Sequence, residues 1–367
     1  MALRVVIAGG GTGGHLYPGI AVARELLSRQ PDAQISFAGT AKGIEARVVP
    51  REGFALDLIR SGGLKGKSIV ERARGAALLP LGLVDATRIV SARRPDLAIG
   101  VGGYSSGPVV LVAALRGVPT MLLEQNAVPG LTNRLLARVV RAAAVTFDST
   151  ASFFGSKAFV SGNPVRPEFL GTAGSQKESA VDDQTSGIRV LVFGGSQGAH
   201  AINVAMVEAA AQLAAGGSSL RVTHQTGERD VEMVRAGYRQ AGLQADVEPF
   251  LYDMGRQLER ADVVVCRAGA TTLAEITAAG KAAILIPLPT ATDDHQRKNA
   301  EALAGAGAAE VLLQKDMTGA VLAERIRALA NDRERRTRMA VRARALARPD
   351  AAKVIVDRAL ELIGRAG

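Results

Sequence analysis

The sequence predicts an α/β protein made of two similar doubly wound, parallel-sheet domains facing each other across a cleft. Three observations carry that expectation. The phrase LRVVIAGGGTGGH at 3–15 recurs as IRVLVFGGSQGAH at 188–200, so each half of the chain opens on a strand, a glycine-rich turn and a helix start. The length, 367 residues, exceeds the roughly 250–300 residues at which one core stops growing. The apolar runs are continuous rather than alternating, as in parallel strands covered on both faces.

Element by element, strands are expected at 4–8, 34–38, 97–101, 120–124 and 143–147 of the first half, with helices between them that include 19–28 and 130–137. Polar, apolar-poor residues at 171–187 read as a flexible linker. The domains are therefore placed at 1–165 and 188–345, joined by 166–187. Strands at 189–193, 220–224, 262–266 and 283–287 repeat the pattern, with helices near 273–279, 296–304 and 322–330. The charged tail, 332–363, has helical period. It suggests one long terminal helix whose end, 346–367, returns to the first domain.

Composition narrows the function classes. A single cysteine, Cys266, excludes an intramolecular disulfide and reads as buried packing. No apolar run reaches the roughly 18–20 residues that span a bilayer. Only four apolar residues separate Arg4 from the glycines, too few for the apolar part of a signal peptide. These features suggest a cytoplasmic or peripheral protein. Residues 1–163 hold 19 Lys/Arg against 10 Asp/Glu, so the positive surplus belongs to the first half. Such a surplus suits nucleic acid, anionic lipid or an acidic substrate, or merely keeps the surface solvated.

Gly9, Gly11 and Gly14 satisfy G-x-G-x-x-G, but the second strand of neither half ends in the acid that would hold a dinucleotide ribose. NAD and FAD are accordingly disfavoured. His15 should start a helix facing the cleft, as a capping group, a sugar-hydroxyl contact or a general base. His200 holds the equivalent place in the second half. Four scattered histidines and one cysteine make a His/Cys metal site improbable. No Asp-x-Asp occurs, so a leaving diphosphate would be met by backbone N–H groups and helix ends, at the second glycine loop and at RAGATT (267–272). Glu275 follows within reach of a ribose, or is an ordinary helix acid. GGYSSGP (102–108) and Glu124-Gln125-Asn126 follow strands at the edge where doubly wound folds hold ligands. Arg166 could bind an anion or pair with an acid. Residues 62–94 carry Lys65, Lys67, Arg72, Arg74, Arg88, Arg93 and Arg94 around AALLPLGLV (76–84). They read as a basic, apolar patch for anionic lipid or as a buried helix with a solvated face. Nucleic acid fits less well, because the segment lacks aromatics for stacking.

GGGTGGHLYPG, GGYSSGP, LEQN, GNPVR, GGSQGA, CRAGATTLAE and DDHQRKNA occur in this order along nearly the whole chain. Together they closely resemble the MurG family of peptidoglycan N-acetylglucosaminyltransferases. The resemblance implies a GT-B fold and an inverting transferase without metal or other cofactor. Its donor would be UDP-GlcNAc and its acceptor undecaprenyl-pyrophosphoryl-MurNAc-pentapeptide, lipid I, which becomes lipid II. It implies work at the cytoplasmic face of the inner membrane, held there by anionic lipid through residues near 64–94, with no nucleic-acid partner. Carried over residue by residue, donor contacts fall on Thr12, Gly13, Gly14, Asn126, Arg166, Ser196, Leu251, Ala270, Thr271, Thr272, Leu273, Ala274, Glu275, His295 and Gln296. Uracil would lie near the Leu251 backbone, ribose on Glu275, diphosphate on Ser196 and Thr271–Thr272, and GlcNAc hydroxyls on Gln296. Catalytic roles fall on His15, Glu124 and Asn126, and Tyr104 and Ser105 line the acceptor side. Two departures stand out: Leu123 occupies a place where the family often has His, and the linker is longer than usual. Another UDP-sugar transferase of the same fold, a UDP-GlcNAc 2-epimerase and a non-catalytic nucleotide-binding scaffold are the competing classes.

Overall fold

The computed structural model describes residues 2–62, 78–166, 169, 187–195, 198–215 and 220–364. The chain forms two compact units, one of residues 1–165 with 348–367 and one of residues 166–347. Most of the linker expected at 166–187 lies outside the described residues, as does the basic part of the patch at 64–77.

The first unit is a seven-stranded parallel sheet in the order β3-β2-β1-β4-β5-β6-β7. The strands are β1 (Arg4–Gly9), β2 (Gln34–Gly39), β3 (Ala55–Leu58), β4 (Leu97–Gly102), β5 (Thr120–Glu124), β6 (Ala142–Val145) and β7 (Ala158–Val160). Helices α1 (Gly13–Arg29), α2 (Glu45–Arg51), α3 (Leu79–Arg93), α4 (Ser106–Leu115), α5 (Leu131–Leu136) and α6 (Asp148–Phe154) connect them. The order reverses between β1 and β4, and at such a switch point the loops diverge and leave a crevice beyond the carboxyl ends of the strands. The core beneath is aliphatic: Val5, Ile7, Leu16, Ile20, Phe37 and Ile99 are buried.

The second unit is a six-stranded parallel sheet in the order β10-β9-β8-β11-β12-β13. Its strands are β8 (Ile188–Phe193), β9 (Leu220–Gln225), β10 (Ala245–Glu248), β11 (Val263–Cys266), β12 (Ala282–Leu285) and β13 (Glu310–Val311). Its helices are α7 (His200–Ala214), α8 (Val231–Gln240), α9 (Met254–Arg260), α10 (Ala270–Ala279), α11 (His295–Gly305), α12 (Gly319–Asn331) and α13 (Arg333–Ala345). The duplication thus puts a glycine loop at the central strand of each sheet, after β1 and after β8. Cys266 is buried at the end of β11, where burial pushes its thiol well above the usual range.

The single terminal helix expected from the tail is two helices. α13 ends at Ala345 and α14 (Ala351–Leu362) begins beyond Pro349, whose ring removes an N–H donor and disfavours helical backbone before it. α14 belongs to the first unit. Its Ile355, Val356 and Ala359 join that core, and Asp357 pairs with Arg29 of α1. The strands absent from the sequence expectation, β3, β7, β10 and β13, are short and lie at or near the sheet edges, where apolar runs are not required.

Candidate functional site

In the first unit the site is assembled where β1 and β4 end. Gly9 and Gly103 face across this point. A Cβ on Gly9 would lie 2.4 Å from the Gly102 carbonyl, and one on Gly103 would lie 2.6 Å from the Gly10 carbonyl. Both have positive φ, so only glycine lets the two loops approach. The loop after β1 is held by a residue that sequence reasoning missed. Glu45, at the start of α2 and buried, accepts hydrogen bonds from the Gly11 N–H at 2.8 Å, the Thr40 N–H at 2.8 Å and the Thr40 hydroxyl at 2.9 Å.

His15 stands in the first turn of α1, with Nδ1 3.1 Å from the Thr12 hydroxyl. Thr12 occupies the N-cap position of α1, yet its side chain makes no capping bond and is engaged with His15. The imidazole lies over Gly102, where a Cβ would come within 2.6 Å of Cδ2 and 3.0 Å of Nε2. The glycine at the end of β4 therefore makes room for the histidine that follows β1. The Thr12 hydroxyl thereby bears on which ring nitrogen of His15 carries the proton.

Glu124, expected among the catalytic groups, is buried at the end of β5 with both oxygens hydrogen-bonded. Oε1 accepts from the Asn126 N–H at 3.0 Å and Nδ2 at 3.3 Å, and Oε2 from the Gly130 N–H at 2.9 Å and Asn133 Nδ2 at 2.9 Å. Burial pushes the carboxyl up, and these four bonds pull it down without cancelling the effect. Its bonds tie the 124–133 loop together around one carboxylate. Asn133, missed from sequence, also donates to the Leu123 carbonyl at 3.1 Å. Tyr104 is exposed after β4, whereas Ser105 is buried at the N-cap position of α4. The turn expected from GGYSSGP thus ends in a helix.

In the second unit the ends of β8, β9, β11 and β12 carry the other set. Gly198 approaches the Thr226 carbonyl so closely that a Cβ would sit 1.8 Å from it. Ser196 lies outside the described residues. His200 donates its Nδ1–H to Asp230 Oδ2 at 2.9 Å, so it is tied into the scaffold and does not mirror His15. Behind it, Asn203 donates to Asp230 at 2.8 Å and accepts from His224 Nε2 at 3.1 Å. Tyr238 donates to His224 Nδ1 at 2.7 Å. Burial in this network pushes the His224 imidazole down to about 3, which keeps it neutral.

α10 begins after Gly269 and points its first amides, from Ala270, Thr271 and Thr272, beyond the sheet. Leu273 and Ala274 continue that helix. Leu273 is buried beneath it, and Glu275 stands in mid-helix, 7% exposed, ion-paired at 3.1 Å to Arg166. The Arg166 guanidinium also lies 4.5 Å from the centre of the Phe169 ring. Asp293 and Asp294 both adopt left-handed backbone immediately before α11, a strained turn that delivers His295 and Gln296. His295 donates Nδ1–H to the Thr292 carbonyl at 2.6 Å. Gln296 Oε1 accepts from the N–H groups of Ala268 at 3.2 Å and Leu288 at 3.0 Å, which leaves its amide nitrogen for other partners. The Leu251 N–H donates to Gln225 Oε1 at 2.8 Å. Among the described residues no group of three or more His, Cys, Asp or Glu side chains could hold a metal ion.

Glycine loops follow β1 and β8, and the Arg166–Glu275 pair stands at the middle of α10. Residues 5–145 match the glycosyltransferase family 28 N-terminal domain and residues 189–355 its C-terminal domain. Over 364 residues the chain is 49% identical to the UDP-N-acetylglucosamine–N-acetylmuramyl-(pentapeptide) pyrophosphoryl-undecaprenol N-acetylglucosamine transferase of Anaeromyxobacter sp. (strain K), covering 99% of this chain and 94% of that protein. The chain belongs to this family of N-acetylglucosamine transferases. A crystal structure of Acinetobacter baumannii MurG is similar at a TM-score of 0.81 and 34% identity, over 98% of this chain and 99% of that one. A UDP-N-acetylglucosamine 2-epimerase described from Listeria monocytogenes shares the fold alone, with a TM-score of 0.70 at 14% identity over 100% of this chain and 98% of that one.

Proposed function

We propose that this chain moves GlcNAc from UDP-GlcNAc to the C4 hydroxyl of MurNAc in undecaprenyl-pyrophosphoryl-MurNAc-pentapeptide, converting lipid I to lipid II. The observation that carries the donor reading is the Arg166–Glu275 pair on α10. A buried carboxylate suits ribose hydroxyls, a guanidinium suits a phosphate, and the amides that open α10 suit the diphosphate. The Leu251 carbonyl would meet the uracil, Ser196 with Thr271 and Thr272 the diphosphate, and Gln296 with His295 the sugar. Ala270, Leu273 and Ala274 would shape that contact.

On the first unit, Thr12, Gly13, Gly14 and Asn126 would also touch the donor, His15, Glu124 and Asn126 would serve the reacting centre, and Tyr104 and Ser105 the acceptor. The C4 oxygen forms a bond to the anomeric carbon while the bond from that carbon to the diphosphate oxygen breaks. UDP takes that electron pair, and the hydroxyl proton passes to the His15 imidazole. Thr12, 3.1 Å from Nδ1, would orient that ring. Attack opposite the departing UDP gives the β(1→4) linkage.

Among the described residues no helix is long and apolar enough to cross a membrane. α3 instead exposes Leu79, Leu81, Leu83 and Val84. Arg93 is neutralised by Asp57 at 2.8 Å, while Arg88 stands exposed on the same helix. This surface would lie on anionic lipid at the cytoplasmic face of the inner membrane. Incubation with UDP-GlcNAc and a short-chain lipid I analogue tests the reaction. UDP release that requires the acceptor supports it. UDP-ManNAc formed without acceptor, or donor binding without turnover, overturns it.

A further inference from the structure

Gln225, the last residue of β9 and only 2% exposed, uses both ends of its side-chain amide. Its Oε1 accepts the Leu251 N–H at 2.8 Å, and its Nε2 donates to the Gly195 carbonyl at 2.8 Å. The partners dictate the orientation, because a backbone N–H can only donate and a carbonyl can only accept. The Gly195 carbonyl also receives the Gly198 N–H at 3.0 Å, so the same oxygen closes the glycine turn after β8. Gly195 and Gly198 both have positive φ, and Gly198 is wedged against the Thr226 carbonyl one residue beyond Gln225. One buried amide therefore spans the segment proposed for uracil and the loop proposed for diphosphate.

We infer that Gln225 is a positioning residue that couples the base end of the donor site to its diphosphate end. The inference rests on the donor-site reading above. Uracil bound at the Leu251 carbonyl orders the Leu251 backbone, and its N–H then holds Gln225. Gln225 in turn sets the Gly195 carbonyl and, through it, the Gly198 amide that the same oxygen accepts. The coupling is a matter of geometry: a buried amide bonded at both ends follows one partner only by carrying the other with it or by giving up that bond.

Three proteins test it: the unaltered chain, Gln225→Glu and Gln225→Met. Uridine and UDP binding would be measured by calorimetry, with thermal unfolding as a check on folding. Gln225→Glu keeps an acceptor for Leu251 but turns an oxygen toward the Gly195 carbonyl. The expected result is uridine affinity within twofold of the parent and UDP affinity lowered about tenfold, the scale of one lost buried hydrogen bond. Gln225→Met should weaken both ligands. Hydrogen exchange on the unaltered chain is a readout that does not depend on variant folding. Uridine alone, without phosphates, should slow exchange of the Gly198 amide. Folded variants that bind both ligands like the parent, or a Gly198 amide indifferent to uridine, overturn the coupling. Failure of the unaltered chain to bind UDP overturns the donor-site reading beneath it.

Discussion

Glu45 accepts the Gly11 backbone N–H at 2.8 Å, and through that bond a helix after β2 sets the shape of the loop after β1. The same carboxylate holds Thr40, so three donors converge on one buried acceptor group. Glu45→Gln would turn an NH2 toward either Gly11 or Thr40. It should lower stability by about 1–3 kcal/mol, the cost of an orphaned buried donor, and reduce kcat because His15 follows that loop. Urea denaturation alongside steady-state kinetics checks both; unchanged stability would remove Glu45 from this role.

His15→Ala should lower kcat by about 10²–10⁴, the usual contribution of a positioned general base, with UDP-GlcNAc affinity little changed. A loss below threefold would leave another group as the base. Thr12→Val should give a smaller loss, because it removes only the partner that selects the tautomer. A pH–rate profile shifted in Thr12→Val would support that division of labour.

Glu275→Ala leaves Arg166 without its 3.1 Å partner and takes away the proposed ribose acceptor. The donor KM should rise about tenfold, with kcat changed less, the scale of one lost hydrogen bond to a charged group. Calorimetry with UDP provides the check, and parent-like affinity would rule out the assignment.

His224 makes stability fall with acid. Folded, it holds its neutral form down to about 3; unfolded, it takes a proton near 6.5. Its depressed folded value therefore contributes stability that is fully present above 6.5 and is lost progressively as pH falls from 6.5 to about 3. The slope is up to about 1.4 kcal/mol per pH unit. Denaturation at pH 7 and pH 5 should differ by about 2 kcal/mol more in the parent than in His224→Asn. Equal differences would show that this imidazole is not held neutral.

Leu81→Asp with Leu83→Asp puts two charges on the exposed apolar face of α3. Binding to vesicles containing anionic phospholipid should fall at least about tenfold, while UDP affinity is retained. Co-sedimentation measures the first and calorimetry the second. Undiminished vesicle binding would move the membrane surface elsewhere.

Much of the catalytic scaffold was legible because it is local. The strands β1, β4, β5, β8 and β11 are continuous apolar runs, and the glycine turns that follow β1 and β8 announce themselves by composition. α4 was less visible, being apolar on nearly every face, so it shows no helical alternation. The break before Pro349 could have been read from the proline itself.

The sequence by itself determined that two glycine-loop α/β units exist, where their central strands lie, and which residues could serve a sugar nucleotide. Only the tertiary structure decided what each polar side chain is bonded to. Parallel sheets bring together segments distant in sequence, so Glu45 meets Gly11 and Gln225 meets Leu251, while the 124–133 loop folds back on Glu124 through Asn126, Gly130 and Asn133. A carboxylate has the same one-letter code whether it faces a substrate or four backbone and amide donors. The difference is burial and partnership, which the packed chain sets and spacing along the sequence does not show.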